Sequence, residues 1–166
     1  MDIETGVEDR QWYVLHTHIK QEERAYRALQ ASNVECFNPK IKECRRNQFT
    51  GAPTYITQPL FPRYIFAKFN VREQLRQIRF TRGVHNVVCF GNNPAVVHSD
   101  IIAIVRARID QNGFVKVSND LKPEDKVIID ARPLRNLIGI FEREVSGSER
   151  SMILLSAIAY QGPSCD

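Results

Sequence analysis

Apolar and polar positions along residues 11–110 predict an alternation of strands and helices. Runs rich in β-branched and aromatic residues are typical of strands, and apolar residues three or four positions apart are typical of one face of a helix. The predicted strands are 11–16, 34–43, 63–69 and 83–91, and the predicted helices are 20–33, 70–79 and 99–110. Residues 44–58 indicate a hairpin-like excursion. This order indicates an α+β fold, an antiparallel sheet with helices packed on it.

The ends of these elements are predicted from capping residues and proline. Asn33 is expected to end the first helix, and Asn70 and Ser99 to cap the second and third. Pro39 places the strand 34–43 at a sheet edge. The apolar stripes are Ala25, Ala28, Leu29 and Ser32 in the first helix and Ile101, Ile102, Val105 and Ile109 in the third.

The strand 63–69 has apolar side chains on both faces. Because side chains alternate across a strand, one face carries Tyr64, Phe66 and Lys68 and the other carries Ile65, Ala67 and Phe69. Three covers for the Tyr64 face are open: the protein's own helices, a stacked nucleic-acid base, or a protein partner. Base stacking would make the protein an RNA-binding regulator with a sheet like that of the RNA-recognition motif, although the motif's glycine is missing. An aromatic patch on a charged domain favours a protein partner.

The last part of the chain supports two interpretations. Residues 111–124 have little periodicity and predict a linker before a small unit at 125–166. Two apolar stripes favour a helical hairpin, with Ser148 as a cap, but the same segments also fit strands of a small barrel. The stripes are Leu134, Leu137, Ile138, Phe141 and Val145, then Met152, Leu155, Ile158 and Ala159.

Charge changes this picture by indicating a partner. Residues 10–108 carry 16 Lys and Arg against 6 Asp and Glu, whereas residues 109–166 carry 7 against 9. A basic body indicates a polyanion as its partner. Hydrophobic residues make up 43% of the 166 positions, which is typical of a globular protein.

Several classes of function are not indicated. There is no apolar run of the ~18 residues that span a bilayer and no signal peptide, so a cytoplasmic monomer is expected. The four cysteines form no C-x-x-C pair and make no metal-ligand spacing with histidine, so neither a metal nor another cofactor is expected. No catalytic motif is present, and the protein is predicted not to be an enzyme. His85 and His98 are expected to be surface histidines.

Four segments, "QWYVLH", "PLFPRYIFAKF", "TRGVHNVVCFG" and "ERSMILLSAI", occur in an order and spacing that resemble the NusG/RfaH family of transcription elongation factors. The resemblance covers about residues 11–159 and is closest to the RfaH-like specialised antiterminators. It implies a NusG-like N-terminal domain at 10–110, a linker at 111–124 and a KOW-like domain at 125–166. It also implies suppression of pausing and termination.

The resemblance also implies two binding surfaces. The clamp helices of the RNA polymerase β′ subunit would contact an aromatic pocket at His16, Phe61, Tyr64 and Phe66. Gln74, Leu75 and Arg76 stand where the family contacts the polymerase β subunit. The non-template DNA strand would be bound by Thr81, Arg82, Gly83 and Arg24, which match the family's residues, and by His18, which stands where the family has lysine. Lys20 and Arg27 are further bases nearby, and basic groups on one helix can bind phosphates.

The resemblance leaves both forms of the small domain open. In the family it is either a helical hairpin that masks the clamp-helix pocket or a five-stranded barrel that recruits a ribosomal protein. Arg132 and Asn136 replace barrel glycines, so we expect the hairpin at 132–160, packed on Tyr64 and Phe66. Gln58 and Arg150 stand where the family has an ion pair between the domains, so a hydrogen bond is expected instead. Phe141 and Leu137 would complete the contact between domains.

Overall fold

The central sheet is built around β1 and β5, the strands with the strongest apolar pattern. The computed structural model describes residues 9–116 and 146–159. Its strands are β1 Arg10–Thr17, β2 Glu35–Phe37, β3 Lys40–Arg46, β4 Pro53–Pro59, β5 Tyr64–Asn70, β6 Val84–Val87, β7 Cys89–Phe90, β8 Asn93–Pro94 and β9 Val96–Val97. Its helices are α1 Glu22–Ala31, α2 Val71–Arg79, α3 Ser99–Ala107 and α4 Gly147–Ala159.

All pairs in this sheet are antiparallel. The order is β2-β5-β1-β6. β9 pairs with the same edge of β1 as β6 does, but at Trp12 and Tyr13, nearer the start of the strand. Val14 lies opposite Phe66 and His16 opposite Tyr64, so these side chains share one face of the sheet. The predicted antiparallel sheet with packed helices is confirmed.

Helices cover both faces of the sheet. On the first face, α1 and α2 bury Ala25, Leu29 and Ile78 in one cluster with strand residues that include Ile65 and Phe69. On the second face, α3 and α4 share a cluster with Phe66, to which α4 contributes Leu154 and Ile158. Full burial of one such side chain stabilises the fold by about 1.5–3 kcal/mol. The two apolar faces of β5 are therefore both covered by this chain.

Two predicted strands are interrupted. The strand 34–43 breaks before Lys40, because Pro39 has no N–H for a sheet ladder. β2 stays at the edge of the main sheet, whereas β3 leaves it and pairs with β4. The strand 83–91 breaks at Val88, after which β7 pairs with β8.

Two predicted helix ends are confirmed and one is wrong. Asn70 caps α2 by accepting a hydrogen bond from the Arg72 N–H at 2.9 Å. Asn33 follows α1 in the left-handed region, with φ of 57°. The N-cap of α3 is His98 rather than Ser99, because the imidazole Nδ1 of His98 accepts from the Asp100 N–H at 3.2 Å.

The last apolar segment is helical over Gly147–Ala159, but its predicted cap is wrong, and of its predicted stripe only Ile158 is buried. Ser146 and Glu149 form a capping box, in which each side chain accepts from the other's backbone N–H at 3.4 and 3.2 Å. The buried side chains are Arg150, Ser151, Leu154, Ala157 and Ile158, and Met152 is 68% exposed. The first predicted segment of the hairpin, 134–145, with Leu137 and Phe141, lies outside the described residues.

Residues that follow α3 also contact the N-terminal elements. The Val115 N–H donates to the Lys40 carbonyl at 2.8 Å, and its side chain is buried in the second-face cluster. Residues 114–116 therefore pack with the N-terminal domain, inside the stretch predicted as linker. Within 9–116 and 146–159, no helix has the length and apolar character needed to cross a membrane.

Candidate functional site

The predicted pocket residues lie together on the second face and are here called the aromatic patch: His16, Phe61, Tyr64 and Phe66. The rings of Phe61 and Phe66 meet edge to face with centroids 5.9 Å apart. His16 stacks on Tyr64 with centroids 5.1 Å apart and planes at 18°. Phe61 and Phe66 are fully buried, whereas His16 and Tyr64 are half-buried. The two phenylalanines therefore form the base of the patch, and the other two rings form its accessible part.

Helix α4 is anchored beside this patch through main-chain carbonyls. The Arg150 Nε donates to the Leu60 carbonyl at 2.7 Å, and the Ser151 Oγ donates to the Pro62 carbonyl at 3.1 Å. Burial lowers the pKa of the Arg150 guanidinium, and the charge of Glu43 opposes this shift. A guanidinium stays charged in proteins, so its bond to Leu60 is charge-assisted.

The approach of α4 is close enough to require glycine at its first residue. A Cβ at Gly147 would lie 2.8 Å from the Cγ of Pro62. Gln58 lies half-buried in β4, two residues before Leu60. The hydrogen bond expected between Gln58 and Arg150 stays a prediction.

The predicted nucleic-acid residues are brought together by the turn between α2 and β6, and they are here called the basic surface: His18, Lys20, Arg24, Arg27, Thr81, Arg82 and Gly83. The His18 N–H donates to the Gly83 carbonyl at 2.9 Å, which joins the end of β1 to this turn. The Thr81 Oγ1 donates to the Gln77 carbonyl at 2.9 Å. Lys20, Arg24 and Arg82 are exposed. Two distant segments thus present their bases side by side.

Gly83 makes this arrangement possible. Its φ is +86°, and a Cβ there would lie 2.8 Å from the Ala25 N and 3.0 Å from the Gln21 carbonyl oxygen. Only glycine adopts this backbone conformation without strain and leaves room for α1. The contact fixes the start of α1 against the turn that carries Arg82.

Arg27 is engaged differently from the other bases. Its Nε lies 3.1 Å from Glu23, which also lies 2.6 Å from the Lys40 Nζ. These two cations hold the pKa of the Glu23 carboxyl below its usual range. Arg27 is 77% exposed, so an incoming phosphate can compete with Glu23 for it.

A row of histidine rings joins the two surfaces and was missed by sequence reasoning. His85 is exposed, as expected of a surface histidine, and its ring also lies 5.1 Å from that of His16 and 5.2 Å from that of His18 between centroids. Burial, then the charge of Arg63, lower the pKa of His16, and His85 and His18 act in the same direction. Among residues 9–116 and 146–159, no group of three His, Cys, Asp or Glu side chains is arranged to hold a metal ion.

A second missed contact is structural. Glu22 is 8% exposed, and its carboxylate accepts from the Arg63 N–H at 2.8 Å. Arg63 has a φ of 71°, an uncommon conformation for a residue other than glycine. The bond therefore ties α1 to the strained residue that precedes β5.

Comparison with known protein families identifies the family of this chain. The family model described as "Transcription termination factor nusG" matches residues 10–106. The chain belongs to the NusG family. Members of this family are transcription elongation and termination factors rather than enzymes, and they generally bind RNA polymerase.

One solved structure matches part of this chain. It comes from work described as "Domain interaction in Thermotoga maritima NusG" and is 19% identical. The match covers 58% of this chain and 55% of that chain, with a TM-score of 0.38. The family assignment rests on the family model, which covers the whole described sheet and α1 and α2.

Proposed function

We propose that this NusG-family protein is an RfaH-like elongation factor that suppresses pausing and termination in the cytoplasm. It binds the β′ clamp helices of RNA polymerase through the aromatic patch and the non-template DNA strand through the basic surface. The observation that carries the proposal is the docking of α4 beside the aromatic patch through Arg150 and Ser151. A helix held there would mask the pocket until polymerase displaces it.

The hydrogen bonds that hold α4 beside the aromatic patch are of a kind that can be broken when polymerase binds. Their acceptors are the main-chain carbonyls of Leu60 and Pro62, which water can hydrate when the helix leaves. A hydrogen bond to a charged donor contributes roughly 1.5–3 kcal/mol, a size that binding of a partner can offset. In this proposal the docked state is the resting, autoinhibited protein.

The β-subunit contact has less support in this chain. Gln74 accepts a hydrogen bond from the Asn70 N–H at 3.0 Å, so its side chain helps to cap α2. Leu75 packs against the first-face cluster. Arg76 is the exposed member of the three. A ribosomal-protein contact would involve the C-terminal segment and stays part of the proposal.

Binding to a reconstituted elongation complex tests the polymerase contact. Tyr64→Ala is the sharper variant, because Tyr64 is half-buried whereas Phe66 is part of the core and its truncation would destabilise the domain. We expect Tyr64→Ala to weaken binding by about 2 kcal/mol or more with an unchanged melting temperature. Tight binding to isolated RNA without binding to the elongation complex would instead support the RNA-binding alternative.

Binding to single-stranded DNA tests the basic surface. We expect the affinity to fall with salt, since phosphate contacts release counterions. Arg82→Ala should relax any base preference, because arginine can contact a guanine edge, whereas Lys20→Ala should weaken all sequences alike. Equal effects of both substitutions on every sequence would contradict this division.

A further inference from the structure

The β3–β4 hairpin projects from the domain with little core of its own. Between Lys40 and Pro59 only Ile41 is buried, and β3 and β4 pair with each other rather than with the central sheet. An isolated two-stranded hairpin is marginally stable in water. Because the hairpin contributes little to the core, we infer that it contacts a partner.

The hairpin has one face that is basic and free of acids. Residues directly opposite each other in an antiparallel pair share a face, and Cys44 lies opposite Tyr55. The alternation of β3 therefore puts Lys42 and Arg46 on the face of Tyr55; these three residues are here called the basic strip. The other face carries Glu43, whose carboxylate lies 3.6 Å from Arg45.

Aromatic rings hold the strip in place. The Lys42 Nζ lies over the Tyr55 ring, 5.0 Å from its centroid, and 5.8 Å from the centroid of Phe114. Tyr55 is 62% exposed. The ammonium group is thus positioned by cation–π contacts and stays free of a carboxylate partner on its own face.

The tip of the hairpin displays a phenylalanine on a fixed turn. The Asn47 side-chain oxygen accepts from the N–H groups of Phe49 and Thr50 at 2.8 and 3.3 Å. The Asn47 N–H donates to the Ala52 carbonyl at 2.9 Å, and Gly51 has a φ of +69°. Phe49 is 96% exposed. A large apolar ring held in water by an ordered turn is typical of a contact residue.

We propose that the β3–β4 hairpin binds duplex DNA, with the basic strip on the phosphates and Phe49 as a wedge at a base step. A DNA groove admits a two-stranded β-ribbon, and apolar side chains inserted between base steps are a known way to hold a duplex. The absence of acid from the strip favours a polyanion over a protein surface. The proposal extends the proposed function, because a protein that holds one exposed strand lies next to the duplex from which the strand emerges.

Fluorescence anisotropy with full-length protein and a labelled duplex of about two helical turns tests the strip without polymerase. The variant Lys42→Ala/Arg46→Ala is compared with Arg45→Ala, a matched control on the opposite face. We expect the double variant to bind about tenfold more weakly at low salt, with a salt slope reduced by about 2. The control should stay within about twofold of the unchanged protein, since its side chain faces away.

A base analogue tests the wedge. A duplex with 2-aminopurine at successive positions should gain fluorescence on binding at one step, and Phe49→Ala should lose that gain while keeping the salt-dependent affinity. Phe49→Trp should retain the gain, because the ring is kept. Thermal melts of all variants check folding, and exposed positions such as these should change the free energy of unfolding by less than about 0.5 kcal/mol.

Four results would overturn the proposal. Unchanged duplex binding by the double variant would show that the basic strip does not contact DNA. Tighter binding to an RNA hairpin of equal length would show that the strip binds RNA instead. Loss of polymerase binding with unchanged duplex binding would make the hairpin a protein contact. Arg82→Ala separates this proposal from the single-strand surface: we expect it to lose single-strand binding and keep duplex binding, and loss of both would contradict a separate duplex site.

Discussion

The two faces of the same sheet are covered by helices in physically different ways. On the first face, α1 and α2 lie close in sequence to β1, β2 and β5 and bury Ala25, Leu29 and Ile78, beside one buried carboxylate, Glu22, which accepts from the Arg63 N–H. On the second face, α4 comes from residues 147–159 and buries Arg150 and Ser151 beside its apolar residues. Apolar burial is non-directional, whereas buried polar groups need specific partners. In the proposed function, α1 and α2 correspond to a permanent cover and α4 to a cover that polymerase displaces.

Truncation of one leucine on each face should show the largest contrast. Leu29 on α1 and Leu154 on α4 are both fully buried. We expect Leu29→Ala to lower the free energy of unfolding of the N-terminal domain by about 2–5 kcal/mol. Leu154→Ala should instead release α4 and leave that domain folded, with a change in Trp12 emission, since Trp12 belongs to the second-face cluster.

Chemical denaturation followed by circular dichroism and Trp12 fluorescence would measure both effects. Met152→Ala is the control for α4, because Met152 is 68% exposed. Cooperative loss of the whole fold by Leu154→Ala would show that α4 is as permanent as α1.

The turn that carries Arg82 packs against α1, which covers the first face of the sheet. Gly83→Ala forces a Cβ against α1 at a φ of +86°. We expect a loss of roughly 2–3 kcal/mol in the free energy of unfolding, from backbone strain and the clash together. Gly91→Ala has a φ of +65° and no atom within 4 Å of its Cβ, so its loss should be smaller. Equal losses would mean that the contact with α1 adds nothing.

The anchor of α4 should show a smaller effect, confined to docking. Arg150→Ala removes the donor to the Leu60 carbonyl and should shift the balance toward the released helix by about 1.5–3 kcal/mol. Exchange of the amide protons of residues 147–159 should accelerate accordingly. Ser156→Ala, at an exposed position of α4, should leave the exchange unchanged.

The histidine row should give the smallest effect, as a dependence on pH. The pKa of His16 is lowered from 6.5, so the unfolded chain binds more protons than the folded one just below that pH. By linkage, the free energy of unfolding should fall as the pH drops below 6.5. His16→Phe keeps a ring for the stack and should flatten this part of the profile. An unchanged slope between pH values of about 7.5 and 5.5 would exclude His16 as its source.

Local sequence patterns were sufficient to predict the sheet. The buried side of α4 and the position of His85 depend on long-range contacts, which local patterns do not contain. The alternation of β5 gave both of its buried faces, and Asn70 gave the start of α2, because each signal is local. The predicted buried side of α4 was right only at Ile158, because the apolar residues of this helix fit more than one stripe. The side with Arg150 and Ser151 is buried because these residues donate hydrogen bonds to the carbonyls of Leu60 and Pro62. Main-chain acceptors cannot be identified from a pattern of apolar and polar side chains.

The candidate site divides in the same way. The Thr81–Gly83 turn and Arg24 were predicted from the resemblance, Arg27 was added as a nearby base, and the close contact of Gly83 with α1 explains why the two segments meet. The place of His85 between His16 and His18 depends on the pairing of β1 with β6 and could not be read from spacing alone.

Hydrogen exchange of the free protein and of its complex with an elongation complex tests the releasable cover most directly. We predict that the amides of α4 are protected in the free protein and lose protection when the elongation complex is added, while α1 and α2 stay protected. Retained protection of α4 in the polymerase-bound protein would contradict the account.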